Sequence, residues 1–124
     1  MSIEYIGYIY AMFVNSAMWN DHYSDTDIYS VVKEGKWTLD KLAEYAENVY
    51  VDVNGNGEVD NDDSFGVVMQ KGHVLHGMAF ASNVVYTSYD ENGMPYISVN
   101  NEHTIDVFNK LHSLFYSSTG ARML

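Results

Sequence analysis

The sequence predicts a mixed α/β (α+β) domain in which helices pack on a short set of strands with a β-hairpin beside them. Three observations carry this. Apolar residues recur at helical spacing in two segments, Leu39–Tyr50 and Ile105–Phe115. Short runs of β-forming residues occur at 3–14 and 65–70. Two further β-rich runs flank Asp90-Glu91-Asn92-Gly93, which supplies the polar residues and the glycine of a tight hairpin turn.

Taken in order, residues 3–14 are rich in Ile, Tyr, Phe and Val and suit a buried strand. Asn15 or Ser16 opens a short helix. Asp27 caps a second one, whose Ile28, Val31 and Val32 share a face and which Gly35 ends. Thr38 is placed to cap a third helix through Tyr50. Leu39, Leu42, Ala43, Ala46 and Val49 form its apolar stripe, and Asp40 favours its positive end. An acidic loop follows, then the apolar strand SFGVVMQ. GHVLHGMAFAS reads as a short helix weakened by Gly77. After the hairpin, Asn101 starts a closing helix with Ile105, Phe108, Leu111, Leu114 and Phe115 on one stripe. The last residues, STGARML, read as a tail without an anchor. No repeat or linker divides this order, so residues 1–124 are expected to form one domain.

The chain has 124 residues, of which 47% are hydrophobic and 15% aromatic, enough for a core and too many for a disordered tail. Its net charge is −11 with only six Lys and Arg, which excludes the basic footprint a nucleic-acid binder needs. There is no cysteine, hence no disulfide framework and no thiolate chemistry. No apolar run is long enough for a membrane-spanning helix. MSIEYIGYIYAMF has no basic region before an apolar one, so it reads as a strand rather than a signal peptide, and the chain is expected to be a piece of something longer.

The stretch VDVNGNGEVDNDD concentrates the acidity. With Asp52 as position one, oxygen-bearing side chains fall at Asp52, Asn54, Asn56, Glu58, Asp60 and Asp63, positions 1, 3, 5, 7, 9 and 12, and Gly57 occupies position 6. That is the spacing of an EF-hand-type Ca²⁺ loop, in which alternate residues turn oxygens inward and the sixth residue makes the sharp turn. Position 7 contributes its backbone carbonyl there, so Glu58 need not ligate through its side chain. Two carboxylates about 4 Å apart repel by roughly 4 kcal/mol at an effective dielectric of about 20, so their convergence calls for solvent or a cation. Neutral Asn56, and Asp63 in place of the longer Glu, predict a weaker site than that of a signalling sensor. The expected role is structural, a staple between the preceding helix and the following strand. The competing reading is a metal-free acidic turn held by Asx-turns.

Other constellations carry less. His73 and His76 stand at i and i+3, with His103 and His112 further on, but no HExxH motif or placed acid completes a zinc set, and surface or cap roles are the plainer reading. No nucleophile elbow or phosphate-cradling loop occurs. Trp37 is expected in the core. Trp19, Tyr86 and Tyr89 are candidates to cover the C–H face of a sugar ring, although cross-strand packing explains Tyr86, Tyr89 and Tyr96 equally well.

The ordered string DIYSVVKEGKWTLDKLAEYAENVYVDVNGNGEVDNDDSFGV resembles a segment of bacterial extracellular solute-binding proteins, the lipoprotein receptors of carbohydrate ABC importers. The matching residues are Tyr29, Val32, Gly35, Trp37 and Thr38, then Asp52, Asn54, Gly55, Asn56 and Gly57, then Asp62, Asp63 and Gly66. The hairpin YDENGMPYISVN, the helix after it and the preceding YAMFVNSAMW are similar in order. The resemblance implies a partial lobe of a type II periplasmic-binding-protein-like fold. It implies a non-enzymatic parent outside the cell, anchored as a lipoprotein, that captures a sugar or oligosaccharide and hands it to an ABC permease. It also implies that this lobe alone does not close around a ligand, because the family binds between two lobes. A calcium-dependent, dockerin-like interaction module is the alternative, but that class duplicates its loop. A hydrolase would need a convergent acid–base pair, and none is evident. Exposed strand edges further predict a homodimer of such a piece.

Overall fold

A computed structural model describes residues 9–124. Over these residues the chain is a mixed helix-and-strand structure with two small sheets, as expected at that level. The expected strand at 3–14 lies partly outside the described residues. Its remainder, 9–14, is exposed and belongs to neither sheet, so it is no buried strand, and Phe13 is 96% exposed.

The first three helices start where capping chemistry places them. In α1 (Ser16–Tyr23), the Asn15 side chain accepts from the Ala17 and Met18 N–H groups. In α2 (Ile28–Lys33), Asp27 accepts from Tyr29 N–H, and Gly35 follows at φ +68°, a conformation glycine adopts without strain. In α3 (Leu39–Glu47), Thr38 accepts from Lys41 N–H. Leu42 and Ala46 of α3 are buried, as is Val49 just beyond it.

Strand β1 (Val67–Met69) is followed by α4 (His73–Ala81), then by the hairpin of β2 (Thr87–Tyr89) and β3 (Pro95–Ile97). The Asp90 carboxylate accepts from Asn92 N–H and Met94 N–H, fixing the turn. Helix α5 (Glu102–His112) starts from the Asn101 cap and runs into a widened, π-type turn at Ser113–Ser117. The presumed tail is instead a strand. β4 (Ala121–Met123) pairs parallel with β1, Val67 opposite Ala121 and Met69 opposite Met123.

The core gathers Leu42, Ala46, Ala79, Val84, Val107, Leu111, Leu114, Phe115 and Ala121. The buried stripe of α5 is Thr104, Val107 and Leu111, continued by Leu114 and Phe115, and not the expected one through Ile105 and Phe108, which are 54% and 44% exposed. Helix α3 approaches both strands of the parallel pair closely. A Cβ on Gly66 or on Gly120 would lie 2.4 Å from the Ala46 backbone, so only glycine fits at either position. The Glu47 carboxylate accepts from Thr119 Oγ1 at 2.8 Å and Gly120 N–H at 3.0 Å, tying the end of α3 to the start of β4.

Candidate metal centre

The acidic loop connects α3 to β1 and is closed at its base by an antiparallel bridge. Val51 and Ser64 exchange two N–H···O=C bonds of 3.0 Å each. Within the loop the backbone winds so that its side-chain oxygens face its own N–H groups. Asp52 accepts from Gly55 N–H at 2.7 Å and from Gly57 N–H at 2.9 Å. Asn54 Oδ1 accepts from Asn56 N–H, Asn56 Oδ1 from Glu58 N–H, and Asp60 Oδ1 from Asp62 N–H. Gly57 has φ +77°, the sharp turn that its position demands.

Asp63 closes the coil from the far side. One of its carboxylate oxygens accepts from Val53 N–H at 3.3 Å, and the other from Asp60 N–H and from the Tyr50 hydroxyl at 2.9 Å. Partial burial first, and then the Asp63 carboxylate, push the Tyr50 phenol up to about 12. Two side-chain amides converge on Asp60 Oδ2, Asn56 Nδ2 at 2.8 Å and Asn54 Nδ2 at 3.3 Å. The Asn56 amide, with Asp62 N–H second, holds the Asp60 carboxyl below its ordinary value.

All six residues of the expected ligand set thus lie in one coil between α3 and β1. Among the described residues, no three His, Cys, Asp or Glu side chains form a group that could hold a metal ion. The oxygens are engaged by N–H donors in Asx-turns. The Glu58 side chain makes none of these bonds. The donor set itself, three carboxylates and two amide oxygens with a backbone carbonyl between them, is the chemistry of a hard oxygen-seeking cation. Each amide oxygen that accepts one N–H keeps a second lone pair for such an ion.

The remaining candidates are placed as follows. Trp19, Tyr23, Trp37 and Tyr45 form one aromatic cluster, with Trp19 and Tyr45 centroids 5.0 Å apart. Trp19 Nε1–H donates to Thr26 C=O at 2.8 Å and the Tyr23 hydroxyl to Tyr45 C=O at 2.9 Å, so the polar tips serve the fold. Trp37 packs against the core as expected. Tyr86 packs on Phe80, Tyr89 stands opposite Pro95 and Tyr96 opposite Ser88, so the hairpin tyrosines do not pair with one another. The His73 and His76 rings are 6.4 Å apart, His103 Nε2 bonds Ser82 C=O, and His112 stacks on Tyr116.

One feature lay beyond the sequence patterns. An open groove of about 800 Å³ runs between the start of α3, β1, α4, α5 and the Tyr10–Phe13 segment. Its walls come from five separate parts of the chain, so no local motif marks it. Comparison with family models, with curated proteins and with solved structures yields no match.

Proposed function

We propose that the chain is part of an extracellular, two-lobed solute-binding receptor that captures a sugar or oligosaccharide for an ABC permease. In this reading its acidic loop takes up Ca²⁺ as a structural staple. The observation that carries the staple is the closed loop itself. A single coil holds Asp52, Asn54, Asn56, Asp60 and Asp63, with Glu58 offering its backbone carbonyl, and its base is pinned by the Val51–Ser64 bridge between α3 and β1. Ca²⁺ there would compete with the two amide N–H groups now on Asp60 Oδ2. Its binding energy would add to the stability of the folded state alone.

Support for membership in a larger receptor comes from exposed apolar surface. Phe13, Tyr89 and Ile97 are each more than 70% exposed, and among the described residues the strands stand in two pairs, although parallel strands are ordinarily covered on both faces. A receptor performs no chemistry on its ligand; it selects by contacts made as two lobes close.

Calorimetric melting at neutral pH tests the staple. EGTA should lower the melting temperature of the Ca²⁺-equilibrated protein, and Asp52→Ala should erase that difference. A melting curve indifferent to chelator removes the metal. Titration of maltotriose and other oligosaccharides into the full two-lobed receptor tests the capture role. Saturable binding with the sugar recovered intact is expected, and hydrolysis products would replace the receptor by an enzyme.

A further inference from the structure

We propose that Asn92 is a site of spontaneous covalent modification, which converts it to aspartate and isoaspartate through attack by the Gly93 nitrogen, and that the two Asn-Gly pairs of the acidic coil are held against the same reaction. The assignment needs neither calcium nor sugar capture.

The chain carries three Asn-Gly dipeptides, Asn54-Gly55, Asn56-Gly57 and Asn92-Gly93. In each, the glycine has no Cβ to obstruct its nitrogen as that nitrogen closes on the asparagine Cγ. The reaction balances with water alone. The glycine N–H gives up its proton, its nitrogen bonds to Cγ, and the Cγ–Nδ2 bond breaks to release ammonia and leave a five-membered succinimide. Water then opens the ring at either carbonyl. Opening at Cγ gives aspartate, and opening at the former backbone carbonyl gives isoaspartate, whose main chain runs through the side-chain methylene. The dipeptide is the same at all three places, so the fold decides the rates.

In the coil both reacting groups are restrained. The Asp52 carboxylate accepts from both nucleophilic nitrogens, Gly55 N–H at 2.7 Å and Gly57 N–H at 2.9 Å. A carboxylate on that proton opposes its loss, because the nitrogen would become an anion beside an anion. The Asn56 amide is bonded at both ends, Oδ1 accepting from Glu58 N–H at 2.7 Å and Nδ2 donating to Asp60 at 2.8 Å. The Asn54 amide is bonded likewise, to Asn56 N–H at 3.0 Å and to Asp60 at 3.3 Å. Turning Cγ toward the next nitrogen breaks these bonds.

The hairpin turn restrains its pair less. Gly93 N–H donates to a neutral acceptor, Asp90 C=O, at 3.0 Å. The Asp90 carboxylate accepts from Asn92 N–H and Met94 N–H. Among the described residues the Asn92 side-chain amide makes no hydrogen bond, and Asn92 and Gly93 are both exposed. The product has a structural consequence. Isoaspartate adds a methylene to the main chain inside the turn that sets Tyr89 opposite Pro95, and either acid places a new charge beside Asp90 and Glu91.

The test incubates the whole chain in EGTA at mildly alkaline pH, digests samples with pepsin, and follows amide-to-acid conversion at each pair by mass spectrometry. Conversion at Asn92 should lead that at Asn54 and Asn56 by about tenfold or more, the worth of one hydrogen bond to a charged group. In urea the three rates should converge. Asp52→Ala, shown folded by near-ultraviolet circular dichroism, should speed Asn54 and Asn56 and leave Asn92 unchanged. Equal rates at the three pairs of the folded chain, or faster conversion in the coil, overturn the proposal. So does a ranking that persists in urea, which would assign it to neighbouring sequence. Unchanged rates at Asn54 and Asn56 in folded Asp52→Ala overturn the shielding.

Discussion

Gly120→Ala should be severely damaging, as should Gly66→Ala, because each glycine lies against the Ala46 backbone. A Cβ at Gly120 would sit 2.4 Å from Ala46 C and Glu47 N, and 2.5 Å from Ala46 O. Ordinary contact begins near 3.4 Å, so α3 and β4 would have to separate by about 1 Å, and the obstructing atoms are backbone that no rotamer change can move. That separation strains the Glu47 bond to Gly120 N–H and the bonds from Gly66 and Val67 N–H to Gly120 C=O. Overpacking of this kind costs about 3 kcal/mol, a large share of the stability of a domain this size. The melting temperature should fall by about 10 °C. Urea unfolding followed by tryptophan fluorescence reads the same loss as a lower midpoint at unchanged slope. Gly77→Ala is the control. Its Cβ would meet Tyr10 ring carbons at 2.8 and 2.9 Å, a smaller overlap, and with a half-exposed side chain that can swing aside. Helix propensity gains about 1 kcal/mol there, so the net change should be near zero. Equal losses for the two variants, or a neutral Gly120→Ala, would refute the close-approach argument.

Three further outcomes follow from single contacts. The Thr119 hydroxyl, and then burial opposed by Gly120 N–H, leave the Glu47 carboxyl below its ordinary value of 4.5. Its stabilisation is therefore complete above that value and lost as the pH falls through the lower folded one. Glu47→Gln should cost about 1 kcal/mol at pH 7 and flatten the acid limb of stability against pH measured by urea midpoints. The Tyr50 phenol is raised from 10.0 to about 12 in the fold, so its contribution is intact below pH 10 and disappears as the pH climbs to 12. Tyr50→Phe should remove that alkaline slope, and Asp63→Asn should bring one phenol's ultraviolet titration to lower pH. Leu114→Ala opens a hole at a side chain 2% exposed and should cost about 3 kcal/mol in urea, whereas Ile105→Ala should cost under about 1.

The helix starts were legible because caps are local. Asn15, Asp27, Thr38 and Asn101 each receive the N–H bonds that their residue types and positions promise. The inward face of α5 was not. Ile105 and Phe108 outweigh Thr104 and Val107 in hydrophobicity, so the sequence favours the wrong stripe. The fold buries Thr104 even though its hydroxyl finds no partner among the described residues. The widened turn at Ser113–Ser117 then shifts the phase and turns Leu114 and Phe115 inward together. β4 escaped because Ala-Arg-Met has no alternation to read, and only its distant partner β1 makes it a strand. The loop shows the limit from the other side. Asx-turns and cation ligation use the same residues at the same spacing, so register alone does not separate them.

The loop and the groove meet in β1. The loop closes at Ser64, and Phe65 and Gly66 lead straight into the strand. From β4, the Arg122 guanidinium donates to Asn61 Oδ1 at 2.9 and 3.2 Å and lies 5.8 Å from the Phe65 ring centroid. Both members of the parallel pair are thereby tied to the acidic coil, one through the chain and one through a side chain. A two-stranded sheet has little intrinsic rigidity. The acidic coil supplies order at one end of β1, and the glycine contacts with Ala46 supply it along the start of the strand. A cation taken up by the loop, as proposed, would therefore stiffen the start of β1 as well as join it to α3.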